Sequence, residues 1–239
     1  SFSIALSLYR LSFVLDCKMA KLEARLQVGN LPSNRLALTN KIYVSPSVYK
    51  NIAHFYSHHK VAPISQSYLI LLNNKHPYAV EGHPQVENNV VALNGLQRRF
   101  AKLSLAATVD LLPLQPYPPA PLASLEIFID TLAKAKGGVK TKPKEFDSDR
   151  LASTVLLILE EQVLESSQTC AIDFEGTKLE LTVGTCTTLS KKSPEPKTIP
   201  MGQLKSSTVL TFAKAEGAAI QLTGNHVAHG SGAPSIFVS

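Results

Sequence analysis

A proline-rich segment near the middle divides this chain into two parts. Residues 114–121 read LQPYPPAP and contain four prolines. Proline fixes the backbone angle φ and removes an amide donor, so neither a helix nor an interior strand runs through such a segment. The sequence therefore predicts structured regions at 21–114 and 124–224, joined by a stiff linker at 115–123.

Both ends of the chain are predicted to lie outside these regions. Residues 1–20 are apolar and serine-rich, and Met19 looks like a natural start. They lack a basic beginning and a small-residue cleavage site, so a secretory signal is not indicated. No apolar run reaches the length of a membrane span. We interpret 1–20 as a non-core extension and 225–239 as a second linker.

The first region is predicted to be a small β-barrel or sandwich. Fifteen prolines, twelve glycines and no tryptophan favour many short elements over a helical bundle. Short runs between proline and asparagine signals predict strands. These runs are 25–28, 36–39, 41–44, 68–72, 78–80, 90–93 and 107–112. Residues 45–67 are the least regular and are predicted to form an inserted loop with one helical turn.

The second region is predicted to be an α+β unit. A strand at 124–130 is followed by a lysine-rich loop, and residues 147–149 (DSD) supply N-cap residues and acids for the start of a helix. Apolar residues then recur at helical spacing, and Leu156 and Leu157 widen the apolar face, which predicts a well buried helix. Turn signals predict two hairpins, one around 175–177 and one around 216–217.

Positive charge is concentrated around the linker. The formal net charge is +6, and the span 98–144 carries eight cations and three acids. Arg98, Arg99 and Lys102 alternate with apolar residues, which predicts a half-buried segment that shows charge on one side. Such a concentration steers an acidic partner. A solvated lysine-rich loop is the alternative interpretation.

Motifs of catalysis are not evident. The run 137–141 (GGVKT) lacks the glycine before lysine that a P-loop requires, and no GxSxG elbow occurs.

His54, His58 and His59 lack the glutamate or cysteine that would accompany a zinc site. Three widely spaced cysteines predict neither disulfides nor zinc and favour a reducing compartment. Nucleic-acid binding is disfavoured because no aromatic stacking platform accompanies the charge.

Five segments resemble the N-terminal domain of the N-ethylmaleimide-sensitive fusion factor family. They occur in that family's order across roughly residues 24–224. The segments are 31–40 (LPSNRLALTN), 88–99 (NNVVALNGLQRR), 146–152 (FDSDRLA), 174–183 (FEGTKLELTV) and 209–215 (VLTFAKA).

This resemblance implies a fold and a role. The fold would be a double-psi β-barrel at 21–114 followed by an α/β-roll at 124–224. In the family this domain caps a hexameric AAA ATPase and grips SNAP adaptors on SNARE complexes. ATP and magnesium belong to modules expected beyond 225–239, so this chain is expected to have no cofactor and no ATPase activity of its own. The family is cytoplasmic and reaches membranes only through its partners.

The resemblance also implies partner-binding residues. The family's adaptor-contact arginine falls on Arg98, with Arg99 beside it and Lys102 in the same basic run. A second basic pair corresponds approximately to Lys134 and Lys136. Where some members carry an arginine before the opening turn this chain has Asn30, and Arg25 and Arg35 are alternative suppliers of that charge.

Two other functions remain open from the sequence. The first is the N domain of a valosin-containing ATPase, which uses the same two-part architecture to bind ubiquitin-linked adaptors. The second is a free-standing nucleic-acid binder. Neither alternative predicts a metal or a catalytic site in this chain.

Overall fold

The first half of the chain forms a closed barrel of six strands. The computed structural model describes residues 24–64, 67–132, 143–190 and 193–228. The barrel order is β1-β5-β2-β4-β3-β6. Pairs β1–β5 and β2–β4 are parallel, whereas the other four pairs are antiparallel. The strands are β1 Ala24–Asn30, β2 Lys41–Val44, β3 Tyr68–Leu72, β4 His76–Gly82, β5 Val90–Leu93 and β6 Thr108–Pro113.

The predicted barrel is thus confirmed, and strand β3 shows how its core is built. All five residues of β3 are buried. Tyr68, Ile70 and Leu72 point into the barrel, because successive side chains of a strand alternate between its faces. Leu69 and Leu71 point the other way and are covered by the second half of the chain. One strand therefore contributes to two apolar clusters.

Two predictions in this half are wrong. Residues 36–39 lie in a 3-10 helix, Asn34–Thr39, rather than a strand, because Ser33 caps its start and Asn40 ends it in a left-handed conformation. The predicted loop at 45–67 contains helix α1, Pro46–His58. Its cap Ser45 accepts a hydrogen bond from the amide of Val48 at 3.3 Å. The apolar residues Ile52, Phe55 and Tyr56 fall on one helical face and are buried.

The basic segment after β5, predicted to be half-buried with its charge on one side, is a short helix, α2 Gly95–Ala101. Asn94 caps it, and Lys102 ends it with φ of 56°. The apolar side chains of a two-turn helix can mimic strand alternation, so the cap is the feature that distinguishes the two.

In the described part of the second half, a five-stranded sheet is accompanied by one helix and two small strand pairs. The sheet order is β10-β11-β7-β14, with β12 paired to β11, while β13 pairs with β9 and β15 with β8. Helix α3, Ser148–Leu159, begins at its cap Asp147 as predicted. The strands are β7 Ser124–Thr131, β8 Lys144–Asp147, β9 Val163–Glu165, β10 Thr169–Phe174, β11 Thr177–Ser190, β12 Ser193–Thr198, β13 Met201–Gln203, β14 Val209–Lys214 and β15 Ile220–Thr223.

The first predicted hairpin is confirmed, since β10 and β11 pair antiparallel around Glu175 and Gly176. The second is wrong. Strands β14 and β15 do not pair with each other; each runs parallel to another strand, β7 and β8 respectively. The turn at Gly217 does reverse the chain, with φ of 72°, but burial of Leu210 and Phe212 against the main sheet decides where β14 pairs.

Helix α3 is buried on one face only. Leu151, Val155 and Leu159 are inside the core, as their spacing predicts. Leu156 is partly buried against this core, whereas Leu157 is 86% exposed, so the predicted widening of the apolar face is confirmed for Leu156 and wrong for Leu157. Residue 157 lies about 240° around the helix from residue 151 and points away from the sheet. Among the described residues the longest helix is α1, with 13 residues, and none has the length and hydropathy to span a membrane.

The two halves share an apolar cluster. Leu69, Leu71 and Ala79 of the barrel, together with Leu114, pack with Val163 of β9. Two polar contacts flank this cluster. His76 Nδ1 lies 2.9 Å from Glu165 Oε2, and Gln162 Nε2 donates to the carbonyl of Thr39 at 3.0 Å.

The proline-rich segment is anchored at both ends. The amide of Leu114 donates to the hydroxyl of Tyr56 at 3.2 Å, and the amide of Leu122 donates to the carbonyl of Gln203 at 2.9 Å. Leu114 and Leu122 are both buried. Residues 115–121 therefore run between two fixed points, one in the barrel and one in the second half. The exact linker limits of 115 and 123 stay a prediction.

Candidate partner-binding surface

Helix α2 is fixed to the barrel by a reciprocal capping box. The side chain of Asn94 accepts from the amide of Gln97 at 2.8 Å, and the side chain of Gln97 accepts from the amide of Asn94 at 2.9 Å. Gln97 is fully buried, and its Nε2 also donates to the carbonyl of Lys41 at 3.1 Å. This glutamine joins the helix to strand β2, so the residues that follow it have a defined position.

The sequence reasoning missed this device, although a signal for it was present. Asn94 and Gln97 have the N-cap and N3 spacing of a capping box, and Gly95 follows the cap. We refer to the positions that the capping box fixes, Arg98, Arg99 and Lys102, as the basic surface.

Arg98 is half-buried and held in one place. Its Nη1 donates to the carbonyl of Leu93 at 2.7 Å and to Oδ1 of Asn30 at 3.2 Å. The sequence singled out position 30 as one where some family members carry arginine, and the structure brings it into contact with Arg98. Asn30 thus orients the guanidinium instead of adding a second cation.

The two alternative arginines have different settings. Arg25 is exposed and lies 3.5 Å from Asp110, Nε to Oδ1, so an acid already accompanies it. Arg35 is exposed on the 3-10 helix. That helix contacts the start of α2, because Asn94 Nδ2 donates to the carbonyl of Ala37 at 3.4 Å. Both arginines therefore lie on elements that contact α2 or its cap, since β1, which carries Arg25, also carries Asn30, the acceptor of an Arg98 hydrogen bond.

Arg99 and Lys102 differ in how much of their charge is available. The guanidinium of Arg99 forms an ion pair with Glu180 of β11. This ion pair connects the barrel to the second half. The side chain of Arg99 is nevertheless 62% exposed. Lys102 is exposed at the end of α2. An acidic partner must therefore compete with Glu180 for Arg99 but not for Lys102.

Lys134 and Lys136 lie outside the described residues. Strand β7 precedes them in the sequence, and its last residues lie beside Glu180. In the register of β7 and β11, Asp130 is opposite Glu180 and Thr131 is opposite Leu179. The amide of Leu132 then donates to the carbonyl of Lys178 at 2.9 Å. Glu180 and Asp130 were not among the predicted site residues; Glu180 contacts Arg99 of α2, and strand pairing places Asp130 beside Glu180.

A cleft of about 200 Å³ lies elsewhere along the boundary between the halves. Lys41 and Glu81 form an ion pair at one side of it, with Nζ 3.0 Å from Oε1. Leu157 and Glu160, at the end of α3, line the other. This arrangement offers a mixed apolar and charged groove without a reactive group.

The described thiols are poor nucleophiles. Cys170 and Cys186 are buried and unpaired with any disulfide partner, whereas Cys17 lies outside the described residues. Burial raises the pKa of the Cys170 thiol to about 12 and that of Cys186 to about 11. Within 24–228, apart from the gaps named above, no three His, Cys, Asp or Glu side chains gather as a metal site.

A maleimide should therefore fail to label native Cys170 and Cys186. A thiol of pKa about 12 is thiolate in roughly one molecule in ten thousand at pH 8, and only the thiolate attacks. The measurement is mass spectrometry of a Cys17→Ser variant after minutes with the reagent, with and without denaturant. We expect no adduct in buffer and two adducts after unfolding. Stoichiometric labelling in buffer would show that these thiols are accessible.

The same raised pKa values predict alkaline destabilisation. The folded thiols retain protons at a pH where unfolded thiols, of pKa about 8.5, have lost them. The contribution of the two thiols to the free energy of unfolding is complete below about pH 8.5 and declines as the pH rises towards 11–12. Each thiol loses about 1.4 kcal/mol of this contribution per pH unit. Urea unfolding of the wild type and a Cys170→Ala variant at pH 8 and pH 10 measures the difference.

Comparison with known proteins places these features in context. A vesicle-fusing ATPase of Arabidopsis thaliana is 26% identical over 204 residues, which cover 85% of this chain and 26% of that protein. No protein-family model matches this sequence. The resemblance found in the sequence is supported in its general form. The chain is similar, over most of its length, to about a quarter of a vesicle-fusing ATPase.

Proposed function

We propose that this chain is the adaptor-binding N domain of an AAA ATPase of the vesicle-fusing type. In that role it binds SNAP adaptors on SNARE complexes through the basic surface, together with Lys134 and Lys136. The observation that carries the proposal is helix α2, which Gln97 fastens to strand β2 of the barrel and whose Arg99 pairs with Glu180 of the second half. Similarity to a vesicle-fusing ATPase supports the choice of partner.

The proposed fold is a double-psi barrel followed by an α/β-roll. A closed six-stranded barrel that combines two parallel pairs with antiparallel pairs supports the first assignment. A helix packed on a mixed sheet supports the second. ATP hydrolysis, magnesium binding and assembly into a hexamer belong, in this proposal, to modules outside the chain. The location would be cytoplasmic, at membranes only through partners.

The energetics favour a partner that engages several cations at once. Exposed ion pairs are each worth about 0 to 1 kcal/mol. Arg98 has an advantage, because two hydrogen bonds already fix its guanidinium and less side-chain entropy is lost on binding. Repetition of the domain around a ring would add avidity without a new contact. A single domain should bind weakly and lose affinity as salt increases.

A binding comparison tests the proposal. The chain is immobilised and offered a SNAP–SNARE complex, a ubiquitin-linked adaptor, or a single-stranded oligonucleotide, each at low and at physiological salt. Retention of the SNAP–SNARE complex alone, weakened by salt, supports the proposal. Retention of the ubiquitin-linked adaptor would favour the valosin-containing type, and retention of the oligonucleotide would favour a nucleic-acid binder.

Removing the acid beside Arg99 should strengthen binding. In Glu180→Gln the guanidinium loses its ion-pair partner and one negative charge leaves the site. We expect a two- to fivefold rise in affinity for the SNAP–SNARE complex, about the worth of one exposed pair. Glu175→Gln is the matched control, since Glu175 also pairs with an exposed arginine, Arg150. Equal gains in affinity in the two variants would indicate that the net charge of the chain, and not the ion pair at Arg99, controls binding.

A further inference from the structure

Two histidines converge on the outer face of helix α1. Ile52, Phe55 and Tyr56 face the barrel, whereas His54 and His58 lie one turn apart on the exposed side. Their rings meet edge to face with centroids 4.5 Å apart. His59 is different, because its ring lies against Phe55 at 4.6 Å and takes no part in this pair. The face that carries the two rings is open to solvent.

The ring nitrogens of this pair are placed as metal ligands. Nε2 of His54 is 3.1 Å from Nε2 of His58. Two imidazole nitrogens at about 2.0–2.1 Å from zinc, at a tetrahedral angle, lie about 3.4 Å apart. The separation of the two nitrogens is therefore close to that of a chelate, and rotation of the two exposed rings about their side-chain bonds turns both lone pairs towards one ion. The helix supplies the spacing, because residues i and i+4 share a face only while the turn is formed.

We propose that His54 and His58 form a two-histidine chelate for a divalent transition metal ion of the zinc class. Imidazole selects zinc, copper and nickel over magnesium and calcium, which prefer oxygen ligands. Among the described residues no third His, Cys or carboxylate joins the pair, so water completes the coordination. A bound ion can then exchange with ions in solution. While bound, it links His54 to His58 and stabilises the last turn of α1, which ends at His58.

Thermal unfolding with and without metal tests the chelate. An ion that binds the folded helix and not the unfolded chain raises the melting temperature. In 1 mM zinc we expect a rise of roughly 2 to 5 °C for a chain of this size. The same concentration of magnesium should give none. His54→Gln and His58→Gln should each abolish the rise while leaving the metal-free melting temperature unchanged, since both side chains are exposed.

A relocated pair provides the decisive control. In Lys50→His/His58→Gln the exposed positions 50 and 54 recreate the i, i+4 pair one turn earlier, and the zinc-dependent rise should return. No rise in the wild type, or a rise that survives either single glutamine variant, would overturn the proposal. So would failure of the relocated pair, or a sedimentation coefficient that increases with zinc, because the ion would then bridge two copies instead of one helix.

Discussion

Replacing Gln97 with alanine should lower the free energy of unfolding by about 2 to 4 kcal/mol, as expected when a fully buried polar side chain leaves its partners unpaired. The amide of Asn94 and the carbonyl of Lys41 both lose their hydrogen bond to this glutamine. A cavity is added where the side chain was. Urea denaturation followed by circular dichroism gives the value.

Gln85→Ala is the control for this substitution. Gln85 is exposed, in the connection between β4 and β5, so its removal should change the unfolding free energy by less than about 0.5 kcal/mol. Because α2 depends on Gln97, the alanine variant should also bind the adaptor poorly at temperatures where it is still folded. A loss no greater than that of Gln85→Ala would mean that the capping box does not hold the helix.

Reversing the charge at Arg98 and Lys134 together should reduce affinity for the SNAP–SNARE complex by about 30-fold or more at low salt. Each substitution removes an attraction worth up to about 1 kcal/mol and introduces a repulsion of similar size. The melting temperature should fall only modestly, since the reversal at position 98 removes two hydrogen bonds of a half-buried side chain, to the carbonyl of Leu93 and to Asn30, each worth about 1 kcal/mol. Surface plasmon resonance across a salt series measures the loss and its salt dependence.

Lys50→Glu/Lys197→Glu carries the same net charge as this double variant and is its matched control. Both lysines are exposed, one on α1 and one on β12. If long-range charge alone drives binding, the two double variants should lose affinity equally. If the basic surface is the site, the control should lose at most a few-fold. An unchanged affinity in Arg98→Glu/Lys134→Glu at low salt would show that those residues do not contact the adaptor.

Local patterns in the sequence predict most strands correctly, because strands such as 68–72 and 90–93 carry apolar runs with clear stops. They fail where a cap outweighs the side-chain pattern. Ser45 and Asn94 each start a helix in a stretch that reads as loop or strand, and Ser33 starts the 3-10 helix. A single hydrogen bond at a helix start is invisible to periodicity yet decides the local structure.

The candidate site depends on contacts distant in sequence. Arg98, Arg99 and Lys102 are visible as a basic run, but Glu180 reaches Arg99 from eighty-one residues away. The contact of Arg98 with Asn30 spans sixty-eight. Such pairs arise from sheet register and from the packing of the two halves, which composition and spacing do not encode. The capping box, in contrast, is local and could have been predicted.

The boundary between the halves has a mechanical consequence. The two halves are joined by more than the proline-rich segment, because the cluster of Leu69, Leu71, Ala79, Leu114 and Val163 and the contacts of His76 and Gln162 also connect them. A force applied to β14 or β15 would pass into the barrel as a rigid-body displacement instead of bending the chain at 115–121. A partner bound at α2, as proposed, would then change its orientation together with the second half.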